Sequence, residues 1–135
     1  MISYRIVPHT ADLRIRVYGN TKEELFRNAL KGMFEAMEPK SSDQPSLVRS
    51  ISVKSTDINS LLVDFLSEAL TLSDIHDEVY LDATPTQFAD TSIEAQIHGR
   101  KIQGFGRGEI KAVTHHEVDI KNVGNRWETT IVFDV

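Results

Sequence analysis

Asp12 and Asp134 are the residues whose chemistry is easiest to name. Asp12 opens a strand-like alternation, on the parity opposite Leu13 and Ile15, and Asp134 closes another, opposite Ile131 and Phe133. The carboxylate of Val135 stands one residue from the Asp134 side chain. Such a group gathers hard oxygens, and calcium or magnesium takes oxygen ligands without needing sulfur. Spacing alone favours a plainer reading, in which Asp12 caps a turn and Asp134 is a solvated acid, because acids are mostly surface residues.

Other chemistry has less support. The adjacent His115 and His116 would point to opposite faces of a strand, so they cannot chelate one ion without a bulge. One is expected against a helix and the other in water. His98 lies on the polar parity of its segment and is expected to face solvent. Gly104-Phe105-Gly106-Arg107-Gly108 is glycine-rich, but a dinucleotide fingerprint must open a helix, and the following Ile110–Thr114 reads as strand. A hairpin loop is expected there. The chain has neither a phosphate-loop motif nor a His-Glu-x-x-His pair, and no serine sits in a Gly-x-Ser-x-Gly elbow. With no cysteine, disulfides, thiolate-bound zinc and thiol catalysis are all excluded.

The elements that must position these residues are legible from periodicity. Leu13, Ile15 and Val17 alternate with polar residues up to Gly19-Asn20, giving a strand with one buried face. Thr21 with Glu24 is a capping-box signature. Behind it, Leu25, Phe26, Ala29, Leu30, Met33, Phe34 and Met37 recur at helical spacing until Pro39 stops the helix. Lys40–Ser46 reads as a surface loop, and Ile51 with Val53 as a second strand. A second helix starts at Thr56 or Asp57, with the stripe Ile58, Leu61, Leu62, Phe65, Leu66, Ala69 and Leu70. Strands are expected over Val79–Leu81, Ser92–His98, Ile110–Ile120 and Trp127–Phe133. The sum is one domain, 1–135, of the α+β class. It has two layers, with two amphipathic helices on one face of a mixed, mostly antiparallel sheet of about six strands.

Composition narrows the function classes. The 135 residues are 40% hydrophobic and 26% charged, as an ordered globular chain requires. Fifteen basic against twenty acidic residues give a formal charge of -5, which disfavours a direct grip on nucleic acid phosphates. Arg5, Arg14, Arg16, Arg100, Lys101 and Arg107 are the candidates for a local basic patch. No apolar run is long enough to span a membrane, and the first residues lack a secretory pattern. The expected location is cytoplasmic.

Set in order, several short blocks resemble the archease family. They are His9-Thr10-Ala11-Asp12, Val17-Tyr18-Gly19, Glu24-Leu25-Phe26, Gly32-Met33-Phe34, Asp57 with Leu61–Glu68, Ile110–His116, Trp127, and Phe133-Asp134-Val135. The resemblance implies an accessory protein of the GTP-dependent tRNA-splicing RNA ligase, an activator and not itself a catalyst. It would promote guanylylation of the ligase, sustain multiple turnover and broaden the nucleotides accepted. The ligase is the implied protein partner, tRNA is involved only indirectly, and no membrane or DNA is implied. The resemblance also implies a divalent metal, calcium first with magnesium or manganese as alternatives, held by Asp12, Asp134 and Val135. This chain departs from the family pattern where Leu13-Arg14 follows Asp12, where His115 replaces a usual Tyr, and over Lys101–Arg107. Arg14 shares a strand face with Asp12 and is placed to pair with it. The competing class is an RNA-binding or general chaperone-like module independent of the ligase.

Overall fold

Strands that bury one face need something to cover that face, and two helices do so here. The computed structural model describes residues 3–7, 12–40 and 44–135. His9, Thr10 and Ala11 of the first family block, and part of the expected Lys40–Ser46 loop, lie outside the described residues. The element order is β1 (Tyr4–Val7), β2 (Leu13–Gly19), α1 (Lys22–Ala36), β3 (Leu47–Lys54), α2 (Ile58–His76), β4 (Glu78–Ala89), β5 (Ser92–Lys101), β6 (Ala112–Val113), β7 (Lys121–Val123) and β8 (Arg126–Asp134).

Both helices start where their side chains can satisfy open backbone amides. The Thr21 side chain accepts from the Glu24 amide at 3.0 Å, and Asp57 accepts from the Ser60 amide at 2.8 Å. All seven apolar residues of the first stripe, Leu25 through Met37, are buried. Each fully buried Leu or Phe among them contributes about 1.5–3 kcal/mol of transfer free energy. Phe26 meets Phe88 edge-to-face at 5.1 Å and Phe65 at 5.7 Å, which ties α1 to β4 and to α2.

The α+β class holds, with two helices on antiparallel sheet structure, but among the described residues the strands number eight and divide between two sheets. One sheet runs β1-β2-β8, with β6 and β7 both pairing the far side of β8; the other runs β3-β5-β4. Every described pairing is antiparallel. Helix α1 packs on β2 of the first sheet and β4 of the second, so one apolar cluster joins Ile15, Ile131 and Phe133 to Ile51, Ile93 and Ile97. The extra strands have local causes. The expected Ile110–Ile120 strand is broken by a turn with Glu117 at φ 67, leaving only β6 within it, and β7 follows as a separate short strand. Strand β4 runs on through Pro85 because it is an edge strand, with a bulge between Pro85 and Gln87.

That broken strand also changes the histidines. His115 and His116 are both exposed, flanking a turn instead of straddling a sheet, so neither packs against a helix. His98 is half-buried, its Nε2 2.9 Å from the Thr84 hydroxyl, and so not fully in solvent. The glycine-rich segment is no hairpin. It is a strap from β5 to β6 laid on the end of α1, where Gly106 donates to Glu38 O at 2.7 Å and Arg107 to Met37 O at 3.1 Å. Among the described residues no helix is long and apolar enough to cross a membrane.

Candidate functional site

The antiparallel register decides how the two acids meet. Leu13 pairs with Phe133, so one position further on Asp12 comes opposite Asp134 at the end of the β2–β8 ladder. Leu13 and Phe133 turn into the core, which leaves Asp12 and Asp134 together on the other face. Lateral neighbours of this kind have Cβ atoms about 4.5–5.5 Å apart. Strand β6 fixes the Asp134 backbone from the other side, because Ala112 pairs with it and the Lys111 amide donates to its carbonyl at 2.7 Å.

Val135 has the opposite parity and turns toward a cleft on the core side. This cleft, about 590 Å³, is lined by Asp12, Leu13 and Val135 with Ile6, Met37 and the strap residues Arg107–Ile110. Asp12 borders this cleft at the strand end and Val135 lines it, while Asp134 is exposed and outside its lining. The strap wall is firm because Ile110 is buried and its amide lies 3.3 Å from Met37 Sδ. Arg107 is paired with Glu38 at 3.2 Å, so it adds little free positive charge to the hollow.

The dominant local electrostatic feature is Arg14. Its Nε lies 3.5 Å from Asp12 Oδ1, and its Nη1 bonds Glu117 Oε2. Glu117 comes from the turn that broke the expected strand. The turn is pinned by Thr114, whose hydroxyl donates to Val132 O at 2.9 Å, by Asp119, whose amide donates to Thr129 Oγ1, and by Ile120, whose amide donates to Asn59 Oδ1 on α2. A glutamate at φ 67 costs about 1–2 kcal/mol relative to an ordinary helical or extended backbone. Nothing in the sequence pattern marks Glu117 as a partner of Arg14, because the pairing spans 103 positions and depends on that turn. Glu109 is likewise a cleft residue that periodicity does not single out.

Asp12 and Asp134 offer oxygen donors alone, the kind a hard cation takes. Among the described residues no three His, Cys, Asp or Glu side chains come together, so the set depends on Val135 as its third member. Arg14 beside Asp12 is the feature that opposes a cation.

The chain as a whole matches the archease protein family (MTH1598/TM1083) over residues 4–135. It is 34% identical to protein archease of Methanosarcina barkeri, covering 98% of this chain and 95% of that one. It is 29% identical to protein archease of Sulfurisphaera tokodaii over the full length of both. Among solved structures, Methanobacterium thermoautotrophicum protein 1598 superposes with a TM-score of 0.75 at 26% identity, covering 98% and 99% of the two chains. A Thermotoga maritima chain described as an archease and possible chaperone superposes at 0.71 with 24% identity, covering 96% and 94%, a likeness of fold. With a family-model match that runs from residue 4 to residue 135, the protein belongs to the archease family.

Proposed function

We propose that the protein is an accessory factor of the GTP-dependent tRNA-splicing RNA ligase, promoting its guanylylation, sustaining its turnover and widening its nucleotide use. Family membership supports the accessory role. The observation that carries the site is the ladder end, where Asp12 faces Asp134 and Val135 turns into the adjoining cleft. In this reading those three residues hold a divalent cation, calcium first, through the two side-chain carboxylates and the backbone or terminal carboxylate of Val135.

A bound cation would supply charge neutralisation beside phosphate, the usual service of metal in nucleotidyl transfer. The residues of this chain do the positioning. β2 and β8, both paired on two sides, fix the carboxylates at the end of their ladder, and the strap wall closes one side of the hollow. The chain presents this edge to the ligase and assigns itself no catalytic residue. Direct tRNA binding is disfavoured because several of the basic candidates are spent on neighbours. Arg16 pairs with Glu128 at 3.1 Å, Arg107 with Glu38, Arg14 with Asp12 and Glu117, and Lys101 donates to His76 O.

The test is guanylylation of the cognate ligase by labelled GTP under multiple turnover, with and without this protein. Stimulation that disappears with Asp12→Ala supports partner and site together. Stimulation that survives Asp12→Ala keeps the partner and removes the acidic edge from the mechanism. No stimulation of a competent ligase, with retardation of tRNA halves in a gel at physiological salt, would instead favour an RNA-binding or chaperone-like module.

A further inference from the structure

A separate cleft, about 290 Å³, lies between the last turns of α2 and the strap. Its apolar side is formed by Leu70, Ile102, Phe105 and Ile110, of which Ile102 and Ile110 are buried and so fixed. Backbone bonds hold the strap in place there: the Lys40 amide donates to Gly104 O at 2.8 Å, Gln103 to Lys40 O at 3.1 Å and Ile102 to Asp77 O at 3.0 Å. The hollow is therefore preformed, and its size suits one long side chain. Asp74, Asp77 and Glu109 line it as well, and all three are exposed. Elsewhere acids are matched across elements, as Glu38 is with Arg107, Asp82 with Arg27 and Asp90 with Lys22. Among the described residues the carboxylates of Asp74, Asp77 and Glu109 have no such partner. Lys111 is the single cation in the lining, so an acidic excess remains. These acids form no metal-holding group among the described residues, so the charge is spread around an apolar hollow and not gathered at a point.

We propose that this cleft docks an arginine side chain carried by a protein partner, its stem against Leu70, Ile102 and Phe105 and its guanidinium among the carboxylates of Asp74, Asp77 and Glu109. An apolar wall with a charged rim matches a side chain that buries its stem and keeps its head at the surface. Arginine suits it better than lysine. A guanidinium is weakly hydrated, offers five donors to carboxylates that stand apart, and stacks on aromatic faces such as the half-buried Phe105. Ile75, next in the chain to Asp74, is 65% exposed, the most of any large apolar residue described. It gives a protein partner an apolar contact outside the cleft that a free amine would not use. The inference is independent of any cation at Asp12 and of the ligase reading.

The experiment is a titration of the isotope-labelled full chain with a blocked glycine–arginine–glycine peptide, read from backbone amide shifts. Saturable shifts centred on the amides of Asp77, Ile102, Phe105 and Ile110 are expected, with a dissociation constant in the millimolar range that one side chain reaches. The citrulline peptide, which keeps the shape and loses the charge, should bind at least several-fold more weakly, and so should the lysine peptide. The triple variant Asp74→Asn, Asp77→Asn, Glu109→Gln should weaken the arginine peptide by roughly tenfold. Asparagine is used at 77 because it tolerates the left-handed backbone there, φ 54, and an otherwise unchanged amide spectrum shows that the variant is folded. No saturable shift, shifts scattered over the surface, or full binding by the triple variant overturns the proposal. Spermidine binding in the cleft more tightly than the arginine peptide would assign it to a free polyamine and overturn the protein partner.

Discussion

Asp12 and Asp134 face each other one position past the last pair of the β2–β8 ladder, Leu13 with Phe133. Two acids 122 positions apart in the chain are brought side by side by register alone. Because neither lies in the core, their roles can be separated from folding. On the proposal that Asp134 is a cation ligand, Asp134→Asn should lower calcium affinity by roughly tenfold or more. Its melting temperature should stay within about 2 °C of the parent, as for a surface substitution. Calorimetric titration with a parallel thermal melt checks both, and a large drop in melting temperature would show that Asp134 is a structural residue.

Docking through an acidic edge carries an ionic-strength signature. Raising salt from about 0.05 to 0.5 M shortens the screening length severalfold and should reduce ligase association by slowing encounter. Association kinetics at several salt concentrations test this. A salt-independent rate would place the contact on an apolar surface instead.

Two glutamates should shape stability against pH with opposite signs. Glu78 is buried, and its carboxylate takes both Nε and Nη2 of Arg49, at 2.5 and 2.9 Å, and the Tyr80 hydroxyl at 2.6 Å. The Arg49 hydrogen bond holds its pKa below the usual glutamate range. A depressed folded value means the stabilisation is present above the unfolded pKa and is lost as pH falls through the folded one. Glu35, on α1, is the reverse case, because burial raises its pKa, while it accepts a hydrogen bond from the Tyr4 hydroxyl. Its ionised form opposes folding at neutral pH, and that cost is relieved as pH falls through the raised value. Denaturant midpoints between pH 7 and pH 3 should fall less steeply for Glu78→Gln than for the parent. Glu35→Gln should raise the denaturant midpoint at neutral pH modestly.

The β4–β5 pairing depends on a residue without a side chain. A Cβ on Gly99 would stand 1.8 Å from the Val79 carbonyl oxygen and 2.8 Å from its carbon, both backbone atoms that cannot step aside. Gly99→Ala should therefore destabilise by about 3 kcal/mol or more, at the upper end of overpacking costs. Thr21→Ala, which removes only the α1 cap, should cost about 1 kcal/mol. Chemical denaturation of both variants fixes the order, and a Gly99→Ala protein as stable as Thr21→Ala would refute the close approach.

Much of the fold was readable because local pattern and tertiary role agree. The stripe from Leu25 to Met37 is amphipathic at helical period, and every member of it is buried. Thr21 and Asp57 announce helix starts because capping is a local interaction between a side chain and an amide three residues on. β1 was not anticipated, since four residues of mixed character make strand only by pairing with β2. The Ile110–Ile120 stretch alternates like a single strand, but alternation carries no sign of the left-handed residue at Glu117 that breaks it.

Local pattern was enough for the α+β class, both helices with their caps, the oxygen-donor character of Asp12 and Asp134, and the family. Folding in three dimensions settled that the strands form two sheets, that Asp12 comes opposite Asp134, that Val135 lines the cleft, and that Arg14 lies between Asp12 and Glu117. The difference is one of range. Periodicity and capping act over a few residues, whereas register and ion pairing join positions more than a hundred apart, and no local pattern encodes which of them will meet.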